Sequence, residues 1–219
     1  MKKYLFTVAA FAVISYVLQS CNNGEKTKTS ETTSMEHADS SQGGDHAGMN
    51  NDLMNSMGGM EQKMSTMKMT GDIDHDFATM MMDHHQGAIS MAKVELAKGS
   101  DAGMKAMAQK MIDAQTTEIS MMQGILSKLK IDTAKKSDGH DHLGDAMREM
   151  MSKMKGMTMS GNLDKDFATM MISHHEGAIK MSEDEISHGK NFELKKMAQK
   201  MMEDQKKEIG DLQAFLKGK

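Results

Sequence analysis

Two histidine pairs, His84-His85 and His174-His175, lie ninety residues apart, each set among methionines. The first stands in Asp76-Phe77-Ala78-Thr79-Met80-Met81-Met82-Asp83-His84-His85-Gln86-Gly87-Ala88-Ile89-Ser90-Met91. The second stands in Asp166-Phe167-Ala168-Thr169-Met170-Met171-Ile172-Ser173-His174-His175-Glu176-Gly177-Ala178-Ile179-Lys180-Met181. Imidazole with thioether suits a soft ion, Cu(I) first and silver by analogy, whereas imidazole with carboxylate suits Zn(II), Cu(II) or iron. The chain carries 30 methionines, and that count decides for the soft ion. A thioether has no proton to lose, so it binds over a wide pH range, and disulfide formation does not consume it. Copper as Cu(I) is the expected ligand, with zinc and iron behind it.

Helical geometry sorts these residues. At 100° per residue, Phe77, Met81, His84, Ala88, Met91 and Glu95 fall within about 40° of one line, with His84 in the middle. Phe167, Met171, His174, Ala178, Met181 and Glu185 repeat the stripe. His85 and His175 fall on its flank, as second ligands, as hydrogen-bond partners of a neighbouring helix, or facing water. On the following helices Glu118 lies in line with Met107, Met111, Ala114 and Ile125, and Glu208 lies between Met201 and Phe215. A buried glutamate is rare unless paired or bound. A hairpin turning near residues 99 and 100 sets His84 level with Gln115 and Met81 level with Glu118, with Gln205 and Glu208 matching them in the second copy. The expected metal set is His84, His85, Met81, Met91 and Glu118 with His174, His175, Met171, Met181 and Glu208. A second set, Met54, Met57, Met60, Met64 and Met67 with Met147, Met150, Met151, Met154 and Met157, is spaced at three and four and predicts a looser all-methionine capture face. The bland readings are hydrogen-bonded core histidines, a buried ion-pair network, and methionines that only fill the core.

The elements that position these groups follow from a repeat. Residues 57–127 align with 147–217 without a gap, so one supersecondary unit is present twice. Each copy predicts a short Met-rich helix, a long helix (about 74–98 and 164–188) ended by Gly99 or Gly189, and a third helix capped by Asp101 or Asn191. Pro is absent, aromatic residues are 4%, and good helix formers dominate. The fold class is therefore all-α: a four-helix bundle built from two repeated helical hairpins, with two additional short Met-rich helices. The expected boundaries are 52–128 for repeat 1, 129–144 for a linker and 145–219 for repeat 2.

Asp76-Phe77, Met80-Met81, His84-His85-Gln86-Gly87-Ala88-Ile89, Met91-Ala92, Ala108, Gln115 and Glu118-Ile119 resemble the bacterial domain-of-unknown-function 305 family. The second copy resembles it at Asp166-Phe167, Met170-Met171, His174-His175, Gly177-Ala178-Ile179, Met181, Ala198, Gln205 and Glu208-Ile209, departing at Glu176 and Ser182. The resemblance covers residues 74–217. It implies an exported, ferritin-like four-helix bundle, linked in some members to periplasmic copper binding, with the His pairs and nearby Met as ligands.

The amino terminus adds a location. Lys2 and Lys3 precede an apolar run from Tyr4 to Leu18, which reads as a signal peptide over residues 1–20 rather than a membrane span. Leu18-Gln19-Ser20-Cys21 resembles a bacterial lipoprotein signal with Cys21 as the lipidated residue. Residues 22–50 contain no Ile, Val, Leu or Phe, and 21–51 read as a tether. The expected place is the bacterial cell envelope, lipid-anchored and facing the periplasm or on the outer membrane. Cys21 is the only cysteine, which rules out disulfides and thiolate chemistry in the folded part. The net charge of −4 gives no argument for nucleic acid. The expected partners are a metal ion, the membrane through the lipid, and a second copy or an envelope metal-handling protein. The residues three before His84 and His174 are methionines, not the glutamates of a ferritin-like di-metal oxidase, so no catalytic residue is expected. Binding for sequestration, tolerance or hand-over is the reading. A Met-rich interaction or chaperone module is the alternative, and an oxidase the third.

Overall fold

The computed structural model describes residues 44–132 and 140–218, with side chains from Asp52 and from His142 onward. The signal peptide, Cys21, most of the tether and residues 133–139 of the linker lie outside the described residues.

Among the described residues six helices follow in order: α1 (Gly44–Thr66), α2 (Ile73–Lys98), α3 (Ala102–Leu126), α4 (His140–Lys155), α5 (Leu163–His188) and α6 (Phe192–Gly218). The described residues are all-α. Helices α1 and α4 begin inside the stretches read as tether and linker. None of the described helices is long and apolar enough to cross a membrane.

Side chains on the preceding loops start the helices. Asp72, Asp101 and Asn162 accept from the backbone N–H three residues on, His75, Met104 and Lys165, and Asn191 accepts from Leu194 N–H. Gly71 and Gly161 take positive φ, 89° and 86°, a conformation that glycine adopts at little cost. Asp76 then gathers the turn, accepting from the N–H of Thr70 and Gly71. Asp166 does the same for Ser160 and Gly161.

Helices α2 and α5 form the middle of the molecule, running antiparallel about a pseudo-twofold axis. Asp164, at the start of α5, accepts from the N–H of Ser100 and Asp101 just beyond α2. Asp74, at the start of α2, accepts from the N–H of Lys190 and Asn191 just beyond α5. Each repeat thus caps the turn of the other. Helix α3 packs on α2 and α6 on α5, while α1 and α4 cover the α2–α5 pair from another side. Helices α3 and α6 meet only weakly, so the ring of four long helices stands open along that side. The core is largely methionine, with Phe77 and Phe167 fully buried at equivalent positions.

Glycine ends α2 and α5 as expected, but for another reason. Gly99 and Gly189 have φ of −59° and −61°, open to any residue. Space requires the glycine. A Cβ would lie 2.1 Å from Glu95 Oε1 at Gly99 and 2.3 Å from Glu185 Oε1 at Gly189.

Candidate metal centre

The pseudo-twofold axis brings His84 and His174 together. Their ring centroids are 3.6 Å apart and the rings are tilted by 41°. Both residues are buried. His84 Nε2 lies 3.0 Å from the His174 carbonyl oxygen and donates to it, which leaves Nδ1 as the lone-pair nitrogen. His84 Nδ1 and His174 Nδ1 have no hydrogen-bond partner in the protein, and His174 Nε2 faces the His84 backbone without reaching good hydrogen-bond geometry. Burial holds both imidazoles well below the usual histidine range, and the neighbouring histidines lower them further. They are neutral at pH 7 and able to offer a lone pair.

The second histidine of each pair turns away from this centre. His85 is fully buried, and its Nε2 is 2.7 Å from Glu118 Oε2 on α3. His175 Nε2 is 2.8 Å from Glu208 Oε2 on α6. In both residues Nδ1 is buried without a partner, and the His175 Nε2 approach to Glu208 is close but not at a hydrogen-bonding angle. A carboxylate on one ring nitrogen fixes the tautomer and orients the other, as second partners do at metal-bound histidines. This corrects the place of Glu118 and Glu208. They are not buried in the core but partly exposed carboxylates, 19% and 26%, that lie against the flanking histidines. Gln115 and Gln205 are buried as expected, each with Oε1 unpartnered.

The methionines also divide. Met81, Met91, Met171 and Met181 are fully buried on the expected stripe. The capture face is corrected: Met57, Met60, Met147, Met150 and Met154 are buried, and Met54, Met64, Met67, Met151 and Met157 are partly buried against the core. The spacing marks a real helical face, but it is the contact face of α1 and α4 and turns inward. One of these sulfurs, Met60 Sδ, lies beside a central histidine, and Met150 takes the equivalent place in repeat 2. A Cβ at Gly87 would lie 2.8 Å from Met60 Sδ and 3.4 Å from His174 Nε2, so thioether and imidazole flank the same glycine. At Gly177 it would lie 2.9 Å from Met150 Sδ. The glycine of each His-His-x-Gly element is therefore the gap that admits a methionine from the covering helix. Among the described residues no three His, Cys, Asp or Glu side chains are gathered to hold a metal. The donors that do converge are imidazole and thioether.

Sequence reasoning missed the two carboxyl pairs that close the ends of the α2–α5 layer. Glu95 is fully buried and pushed up to about 8, by burial first and then by Asp164. Glu185, equally buried, is pushed up to about 9 by burial and by Asp74. Asp164 lies below the usual carboxylate range despite its burial, because Ser100 and Asp101 donate to it and the Glu95 carboxyl stands beside it, although neither Glu95 oxygen meets hydrogen-bond geometry. The signal was available: the wheel placed Glu95 and Glu185 on the buried stripe, where a charged carboxylate is not expected.

The family model described as Domain of unknown function (DUF305) matches residues 17–126 and 74–216. No curated protein matches the chain. Three solved structures of CopM resemble it in fold. The silver-bound form, obtained by soaking, has a TM-score of 0.51 and 24% identity, covering 66% of this chain and 95% of that one. The Cu(I)-bound form has a TM-score of 0.50 and 24% identity, covering 66% and 96%. The Cu(II)-bound form has a TM-score of 0.50 and 25% identity over the same shares. With matches spanning most of its length, the chain belongs to the DUF305 family.

Proposed function

We propose that this protein binds copper, as Cu(I), between its two repeats, and that it serves to sequester the ion or hand it over in the cell envelope. One observation carries the reading: neutral, buried imidazole nitrogens without protein partners stand beside thioether sulfur at the pseudo-twofold centre. Unpartnered buried nitrogen is costly, and a soft ion that takes imidazole and thioether would satisfy it. His84 and His174 are the central donors, with Met60, which shares the Gly87 gap with His174, and its repeat equivalent Met150 as the sulfur donors. His85 and His175 offer Nδ1 from the flank, oriented by Glu118 and Glu208. Copper is cargo here, and no bond-making step is proposed. The likeness to CopM in its Cu(II)-bound form supports copper. The envelope location rests on the apolar run Tyr4 to Leu18 and on Cys21 as lipid anchor.

The test is a Cu(I) titration against a competing chelator. Wild type should retain copper that a His84→Gln/His174→Gln variant releases. Met60→Leu/Met150→Leu, which keeps the core volume, should weaken binding as well. Equal, weak binding by all three would remove the centre. The interaction-module reading would then take its place, supported by the groove of about 830 Å³ between α3 and α6, with Met121 and Phe192 exposed on it.

A further inference from the structure

The two repeats differ at one surface position where their equivalence makes the difference informative. Leu53 and Leu143 are both fully buried at matching places, which keeps α1 and α4 in register there. One residue earlier, repeat 1 has Asp52, and its carboxylate pairs with Lys98 at the end of α2. The equivalents in repeat 2 are His142 and His188, and Val94 is replaced by Asp184. A salt bridge beside a valine has become two imidazoles around a carboxylate.

The geometry of the replacements is specific. His142 Nδ1 lies 3.6 Å from Asp184 Oδ1. Asp184 and His188 stand one turn apart on α5, so their side chains share a face. The His142 and His188 rings are 6.2 Å apart and nearly perpendicular, at 82°. His188 Nδ1 donates to the Asp184 carbonyl oxygen at 3.2 Å, which leaves Nε2 with the lone pair. This fixing of one nitrogen by a backbone carbonyl is typical of histidine ligands. Asp184 is mostly covered, with 17% of its side chain exposed, whereas His142 is 61% exposed and can rotate. A salt bridge needs one cation for one carboxylate; the second imidazole adds a donor that such a pair does not use.

We infer that His142, Asp184 and His188 form a second metal site at the junction of α4 and α5, specific for a borderline divalent ion such as Zn(II) or Cu(II). The donor set is two imidazoles and one carboxylate with no sulfur, which suits such ions and not Cu(I). As they lie, the three groups do not yet share one point, and the ion closes the set by drawing in the exposed His142 ring. The site is separate from the buried centre: His188 follows His174 by fourteen residues, about 21 Å along the helix.

The experiment titrates the full chain with Zn(II) alone against a chromogenic chelator. The informative variant is His142→Asp/Asp184→Val/His188→Lys, which installs the residues that repeat 1 already accommodates. The site predicts one Zn(II) bound by wild type, and a loss of affinity of at least tenfold in the triple variant with Cu(I) binding unchanged. His142→Ala, an exposed substitution that leaves packing intact, should also weaken Zn(II) binding and decides the matter if the triple variant misfolds. Zn(II) affinity that is the same in wild type and His142→Ala overturns the inference. So does a wild-type chain that binds no Zn(II). A wild-type chain that binds Zn(II) but no Cu(I) would instead count against the buried centre alone.

Discussion

Raising the pH of the metal-free protein from 6.5 to 8 should lower its stability through Glu95 and Glu185. The ordinary value for each is 4.5, and the fold raises them to about 8 and about 9. A raised carboxyl means that the folded state holds a proton the unfolded chain has released. Its contribution is complete below 4.5 and is lost as pH climbs toward the folded value. Each such proton changes stability by about 1.4 kcal/mol per pH unit, so the pair gives roughly 2.7. His84 and His174 act the other way. Their folded values lie well below the usual 6.5, so below pH 6.5 the unfolded chain takes up two protons that the fold refuses. Below pH 6.5 the histidines therefore oppose the glutamates, and the decline with pH should be shallower there than above it. Above 6.5 the glutamates dominate, and roughly 3 kcal/mol should go by pH 8, a large part of a typical 5–15 kcal/mol. The values of about 8 and about 9 already include Lys105 and Lys195, which hold them down, and Asp101 and Asp72, which raise them. Urea unfolding at pH 5, 6, 7 and 8 reads the slope directly. Glu95→Gln/Glu185→Gln, neutral at every pH and able to donate to the same aspartates, should flatten the decline. Stability that rises between pH 6.5 and 8, or a decline that survives in the glutamine variant, would refute the assignment of these protons.

Three further outcomes follow from the same geometry. Gly87→Ala and Gly177→Ala should each destabilise by about 1–3 kcal/mol, as overpacking does, and weaken copper retention. The effect should be larger at Gly177, where Met150 Cβ and Cγ, at 3.0 Å, leave less room to yield than at Gly87; thermal melts and chelator competition measure the two effects. Asp74→Asn or Asp164→Asn weakens charge-assisted hydrogen bonds to the opposite turn and should cost about 1.5–3 kcal/mol, read by denaturant unfolding. Glu118→Gln should lower copper affinity about 10–100-fold if His85 is a ligand, the usual effect of losing an orienting partner, while the melting temperature moves little.

How much was legible in the sequence depends on how far each interaction reaches along the chain. The four long helices, the caps at Asp101 and Asn191 and the inward stripe through His84 are set by spacings within a few turns, and the structure has them, whereas α1, expected to be short, runs 23 residues from Gly44. What failed was the identity of the facing partner. A flank position about 80° from the stripe does not say that α3 covers it, so the bond from His85 to Glu118 could be named only as one of three outcomes. Likewise the methionine spacing in α1 and α4 defines a face without saying which way it turns. It turns onto α2 and α5, and this moves Met60 and Met150 from an outer surface to the gaps at Gly87 and Gly177. The carboxyl pairs depend on the antiparallel crossing of the repeats. Glu95 meets Asp164, sixty-nine residues on, and nothing local to either residue announces that contact.

The central claim is a copper ion held by imidazole and thioether between the repeats. X-ray absorption at the copper edge on the Cu(I)-loaded protein tests it most directly. The claim predicts a first shell containing both imidazole nitrogen and sulfur, with sulfur diminished in Met60→Leu/Met150→Leu and nitrogen in His84→Gln/His174→Gln. A shell of sulfur alone, or a mixed shell that neither variant alters, would contradict it.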